Sequence, residues 1–121
     1  MSLVLLIDDE PALAQLVSMV LDGLDVRLVQ AHSPAEAAAE LEKEKPDVIL
    51  LDIALGDEDG LALLPRLKTA GDGHTKVIVL SVHDSRRREA LDLGADAFVA
   101  KPFRPGELRA TLEAFLKDER S

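Results

Sequence analysis

The sequence predicts an α/β domain built on a buried parallel sheet, and three observations carry that reading. Short, continuous apolar runs recur at residues 3–7, 48–51, 77–80 and 97–100. Most of the segments between them hold apolar residues at the spacing of a helix. The runs lead into polar residues, at Asp8, Asp52, Ser81 and Lys101. Unbroken apolar runs suit strands covered on both faces, whereas half-solvated strands alternate.

Taken in order, residues 3–7 form the first strand, stopped by Asp8-Asp9-Glu10. Pro11 suits the first position of a helix. Leu13, Leu16, Val17, Val20, Leu21 and Leu24 make its apolar face, with Gly23 as its stop. Residues 26–31 alternate and read as a strand nearer the sheet edge. Ser33-Pro34-Ala35-Glu36 is a capping box opening a second helix through Lys45, with a small Ala37, Ala38, Leu41 face. Pro46-Asp47 breaks it.

Val48-Ile49-Leu50-Leu51-Asp52 is the central strand, ended by the turn formers Gly56, Asp57, Asp59 and Gly60. Leu61, Leu64 and Leu67 mark the third helix, which stops near Gly71-Asp72-Gly73. Residues 77–81 are the fourth strand. A short fourth helix runs from Ser85 to Leu93, capped by Asp84 or Ser85 and closed by Gly94. Ala97-Phe98-Val99-Ala100 is the fifth strand, and Pro105 opens a last helix with the stripe Leu108, Leu112, Phe115 and Leu116.

The pattern is (βα)5. Right-handed crossovers leave few topologies, and the flavodoxin-like order 2-1-3-4-5 suits five strands best. At 121 residues the chain is read as one domain spanning 1–121. Aromatics are only 2% of it, so Ala, Leu, Ile and Val must fill the core. The absence of Cys excludes disulfides and thiolate metal sites. A formal net charge of -9 argues against direct binding to nucleic acid or anionic membrane. No run approaches the ~20 apolar residues of a membrane span and no signal pattern opens the chain, so a soluble cytoplasmic protein is expected.

The predicted order brings Asp8, Asp9, Asp52, Ser81 and Lys101 to one sheet edge, where α/β sheets bind ligands. Three clustered carboxylates repel unless a cation joins them. All-oxygen ligands suit a hard cation, Mg2+ in a cell. Lys101 adds a compact positive charge and Ser81 a neutral donor. This is equipment for phosphoryl transfer, in which positioning and charge neutralisation are most of the catalysis. No Gly-rich phosphate loop is present, so no nucleotide site is evident. A carboxylate can itself be the nucleophile, forming an aspartyl phosphate.

With Leu-Ile-Asp-Asp-Glu at 6–10, Asp52 followed by Asp59-Gly60, Ser81, and Ala-Phe-Val-Ala-Lys-Pro-Phe at 97–103, the chain resembles the receiver domain of two-component response regulators over residues 3–117. The resemblance implies a phosphorylation switch rather than a turnover enzyme. Asp52 would accept a phosphoryl group from a sensor histidine kinase or a histidine phosphotransfer protein, and a downstream effector would read the result. Asp9 would bind Mg2+ directly, Asp8 mainly through a metal-bound water, and Asp52 and the backbone carbonyl of Ala54 would complete the protein's ligands. Lys101 would pair with the phosphoryl group and Ser81 would bond one of its oxygens. Phe98 matches the aromatic that turns inward when Ser81 moves, and Lys101-Pro102 typically has a cis peptide bond in this family.

Some positions depart from the family pattern. Many relatives have a longer side chain at Ala54 and Pro at Gly56, so the site should be more open and its loop looser. Val82 stands where Ala is usual and narrows donor access. Phe98 lacks the hydroxyl of the common Tyr. Ala97 replaces an acid common in regulators that dimerise through their last two helices, which weakens the case for that dimer. A phosphatase resembling haloacid dehalogenases would want an acid at Ala54, and a flavodoxin-like electron carrier would want more aromatics. His32, His74 and His83 are separate in sequence, and only His83 falls near the site edge. Asp57, Glu58 and Asp59 read as a solvated loop. Arg86-Arg87-Arg88 reads as an exposed helix face, with a partner surface as the alternative.

Overall fold

The computed structural model describes residues 2–55 and 58–120. Met1, Gly56, Asp57 and Ser121, with the side chains of residues 58 and 117–120, lie outside that description. Five parallel strands form one sheet: β1 (Ser2–Ile7), β2 (Val26–Ala31), β3 (Val48–Asp52), β4 (Lys76–Ser81) and β5 (Ala97–Ala100). They lie in the order β2-β1-β3-β4-β5, the order predicted. A small antiparallel hairpin, Ala54–Leu55 against Glu58–Asp59, follows β3.

β3 is central, and every one of its residues is buried. Side chains alternate across a strand, so its apolar run feeds two cores. Ile49 and Leu51 pack with Leu5, Ile7, Val77 and Val79 on one face. That face is covered by α2 (Pro34–Lys43), α3 (Leu64–Ala70) and α4 (Arg87–Asp92). Val48 and Leu50 pack with Val4, Leu6, Ile78 and Leu80 on the other, under α1 (Pro11–Val20) and α5 (Pro105–Arg120). β2, at the edge, is mostly half-buried or exposed, as its alternation predicts. No helix of the described residues is long and apolar enough to cross a membrane.

Local signals in the sequence shape the helix ends. Pro11 and Pro34 open their helices, and Gly23 and Gly94 close turns at φ +86° and +111°. The capping box is offset by one residue. Ser33 Oγ accepts from Glu36 N at 3.2 Å, but Glu36 Oε1 accepts from His32 N at 3.2 Å rather than from Ser33. α3 is preceded by a 3-10 turn, Gly60–Leu63, whose cap is Asp59. α4 differs from its predicted start. A 3-10 turn, Asp84–Arg86, precedes it, and neither Asp84 nor Ser85 caps it. The Asp84 carboxylate bonds the guanidinium of Arg87 instead, at 2.9 Å.

Gly60 closes the site loop back onto the sheet. Its N–H donates to Ile53 O at 2.8 Å. A Cβ there would stand 2.6 Å from Ile53 Cα and 2.9 Å from Asp52 O, both backbone atoms that cannot swing away. Gly60→Ala should therefore cost about 3 kcal/mol, at the upper end of overpacking effects. Urea unfolding measures it, and a loss below about 1 kcal/mol would mean that the loop yields without strain.

Candidate functional site

In a parallel sheet the carboxyl ends of all strands fall on one edge. β3 ends there at Asp52, and β1, β4 and β5 lead to Asp8, Ser81 and Lys101. Asp52 is 1% exposed. Its Oδ2 accepts from Lys101 Nζ at 2.8 Å and its Oδ1 from Ala54 N at 3.0 Å. The pairing holds because the chain after β5 is fixed to β4: Lys101 N donates to Ser81 O at 2.8 Å. The Lys101-Pro102 peptide bond is cis, as the resemblance implied. Ser81 is buried, and its Oγ accepts from His83 N at 2.9 Å, tying down the start of the β4–α4 loop.

Asp8 is buried beside this pair, and its Oδ1 has no hydrogen-bond partner among the described residues. Burial, then contact with the Asp52 carboxyl, pushes its pKa up to about 7, against a backbone hydrogen bond from Glu10 that lowers it. Asp9 is exposed, on the turn into α1. The structure thus brings Asp8, Asp52, Ser81 and Lys101 together, while Asp9 stands exposed. Among the described residues no three His, Cys, Asp or Glu side chains stand close enough to hold a metal. The donor chemistry at Asp8 still suits a hard cation, since its buried oxygen lacks a partner among the described residues.

Above the strand ends lies a cleft of about 470 Å³. Asp52, Ser81 and Lys101 line its deep part, and Val82, exposed by 62%, and His83 flank it. His32 pairs with Glu36 and His74 with Asp47, neither of them lining the cleft. Two contacts here were not legible in the sequence. Arg86 and Asp59, 27 residues apart, form a two-pronged ion pair, and both line the cleft. The guanidinium of Arg87 lies 4.8 Å from the ring centroid of Phe98, which is already inward at 7% exposure. The arginine run is therefore not one exposed face. Arg88 and Arg87 are exposed, at 88% and 47% of their side chains, whereas Arg86 is half-buried at 28%. Asp59 is exposed, as a solvated loop residue would be, and is in addition a cap and an ion-pair partner.

The model of the response regulator receiver domain matches residues 4–113. The chain belongs to that family. It is a receiver domain of the kind found in two-component response regulators. It is 45% identical over 118 residues to the transcriptional regulatory protein TrcR of Mycobacterium tuberculosis, covering 94% of this chain and 45% of that one. It is 36% identical over 119 residues to KdpE of Escherichia coli, the KDP operon transcriptional regulatory protein, covering 97% and 52%. The receiver domain thus spans about half the length of these two relatives. Among solved structures, the chemotaxis response regulator CheY4 of Vibrio cholerae superposes with a TM-score of 0.84 at 26% identity, covering 95% of this chain and 98% of that one.

The raised pKa of Asp8 has a definite sign for stability. Its folded value, about 7, lies above its ordinary value of 3.8. Between the two, the folded chain keeps a proton that the unfolded chain releases, so stability falls as pH rises through this window. In metal-free buffer the wild-type domain should lose on the order of 4 kcal/mol relative to Asp8→Asn between about pH 4 and pH 7.5. Denaturant melts of both proteins across that range measure it. Parallel pH profiles would mean that the Asp8 carboxyl is not strained by its burial.

Proposed function

We propose that residues 1–121 are one receiver domain in which Asp52 accepts a phosphoryl group from a phosphohistidine on a sensor kinase or phosphotransfer protein. The observation that carries this is the buried Asp52 carboxylate, bonded to Lys101 Nζ at 2.8 Å at the foot of a cleft. An Asp52 oxygen attacks phosphorus, the bond from phosphorus to the donor imidazole breaks, and its electron pair returns to the ring. Lys101 is placed to neutralise charge developing on the phosphoryl oxygens. Ser81, which now accepts from His83 N, has a hydroxyl proton to donate to one of those oxygens, and doing so would pull on the loop into α4.

Asp8, Asp9, Asp52 and the carbonyl of Ala54 would hold Mg2+. When bound, that ion would shield the charge of the carboxylates and of the transferring group. Asp8, with its unpartnered buried oxygen, supports this assignment most directly. Asp9 would join by reorienting from its exposed position. The domain promotes only its own phosphorylation and dephosphorylation and turns over no separate substrate. It works in the cytoplasm, and a downstream effector reads its state. Because Phe98 already lies inward beneath Arg87, the response reaches it through that contact rather than by rotation from solvent.

Acetyl phosphate with Mg2+ should add one phosphate to the wild-type protein and none to Asp52→Asn, as intact-protein mass spectrometry reads directly. Equal labelling of the variant would move the acceptor elsewhere.

The switch has a separate test. Beryllofluoride, bonded through beryllium to an Asp52 oxygen, should shift amide NMR signals across residues 81–88 and 97–105. Ser81→Ala should weaken the remote shifts while Asp52 still accepts phosphate. Shifts limited to the loops after β1 and β3 would make the domain a phosphate acceptor or sink and not a switch.

A further inference from the structure

The cleft has a buried floor and an exposed rim. Asp52 and Ser81 are 1% and 2% exposed, whereas the side chains of Arg86 and Asp59, from the segments that follow β4 and β3, are 28% and 49% exposed. Arg86 Nη1 donates to Asp59 Oδ1 at 3.0 Å and Nη2 to Oδ2 at 2.9 Å. Arg86 Nε and Nη2 also reach the two oxygens of Glu89, at 3.0 and 3.1 Å. Those bonds use four of the five N–H groups that a guanidinium offers. Arg86 is thus nearly saturated and neutralised, which suits it to fastening two segments rather than to binding a phosphate.

The two segments differ in stiffness. Asp59 is a fixed post, since its Oδ1 also accepts from Leu61 N at 3.1 Å and its neighbour Gly60 is buried and donates its N–H to Ile53 O at 2.8 Å. Arg86 ends the 3-10 turn Asp84–Arg86, which has no buried residue and no side-chain cap. We propose that Arg86 is a positioning residue for the reaction at Asp52: its pair with Asp59 straps the cleft mouth and limits the entry of phosphodonor and water. This rests on the reading of Asp52 as the phosphoacceptor. Phosphate is lost when a water oxygen bonds to phosphorus and the bond from phosphorus to the Asp52 oxygen breaks, giving inorganic phosphate and the free carboxylate. Water is uncharged, so this step senses the opening of the strap more than the local charge.

Arg86→Ala and Asp59→Asn separate opening from electrostatics. The first leaves the carboxylates of Asp59 and Glu89 without their cation, and the second leaves Arg86 with Glu89 alone. Attraction of anionic acetyl phosphate should therefore change in opposite senses in the two variants. Loss of phosphate should quicken in both, by about two- to fivefold, the range that a partly exposed ion pair can account for. The amide introduced by Asp59→Asn keeps an oxygen to accept from Leu61 N, so the turn is retained. Each protein is labelled with acetyl phosphate and Mg2+, desalted, and followed by intact mass, with thermal melts alongside. The double variant should lose phosphate no faster than either single one, because one strap can be opened only once. Unchanged lifetimes, effects of opposite sign, additive effects, or lifetimes that track falling melting temperatures would each overturn the strap. In the first of these cases, a wild type labelled at Asp52 leaves the phosphoacceptor reading standing. If the wild type takes no phosphate, or Asp52→Asn takes as much, that reading fails and the strap falls with it.

Discussion

Everything at the functional edge depends on keeping a carboxylate in place at the end of a strand that water does not reach. Asp52 is 1% exposed, and an ion so buried is tolerable only if its lone pairs are engaged. Lys101 and the Ala54 amide engage one oxygen each. These partners come from the chain after β5 and from the loop after β3, so both must be held rigidly. The Lys101 N to Ser81 O hydrogen bond and the Gly60 N to Ile53 O hydrogen bond are parts of that support. Removing Lys101 alone would leave an uncompensated buried charge, which is worse than never having had the pair.

Asp8 is the opposite case. It is nearly as buried as Asp52, yet one of its oxygens has no partner among the described residues, and its pKa is pushed up to about 7. A fold that needed only stability would place an apolar residue there. Stability–function conflict of this kind is a mark of a working site. The strain also links proton and cation: whatever positive charge reaches Asp8 relieves the same repulsion, so protonation and metal binding should compete.

The architecture was legible in the sequence because the strands are buried on both faces and so read as unbroken apolar runs. Their endings put Asp52, Ser81 and Lys101 on one edge before any contact was known. What escaped was set by rotamers and by long-range pairing. Asp59 and Arg86 are 27 residues apart, and nothing in their spacing announces a two-pronged bond. Arg87 over Phe98 is hidden in the same way, and the arginine run reads as a solvated face until the turn of α4 sends its members in different directions. The helix start escaped because the Asp84 carboxylate engages Arg87 rather than acting as a cap.

Energetics explains why the start of α4 is the part able to respond. Moving a two-state equilibrium from mostly off to mostly on takes about 5.5 kcal/mol. The sheet cannot supply motion on that scale, because β3 and β4 are fully packed on both faces and their cores would have to open. The 3-10 turn Asp84–Arg86 and α4 behind it bury only Ala90, and are otherwise held by partly exposed ion pairs worth about 0.2–1 kcal/mol each. A new bond from Ser81 to a phosphoryl oxygen would compete directly with its bond to His83 N, the residue that precedes this turn. Arg86 ties the same turn to the loop behind Asp52, and Arg87 ties the next residue to Phe98 on the edge strand. A small displacement at Ser81 therefore meets weak restraints, and those restraints lead to Phe98 on β5. The rigid half of the molecule holds the buried carboxylates, and the weakly held helix beside it is the part left able to move.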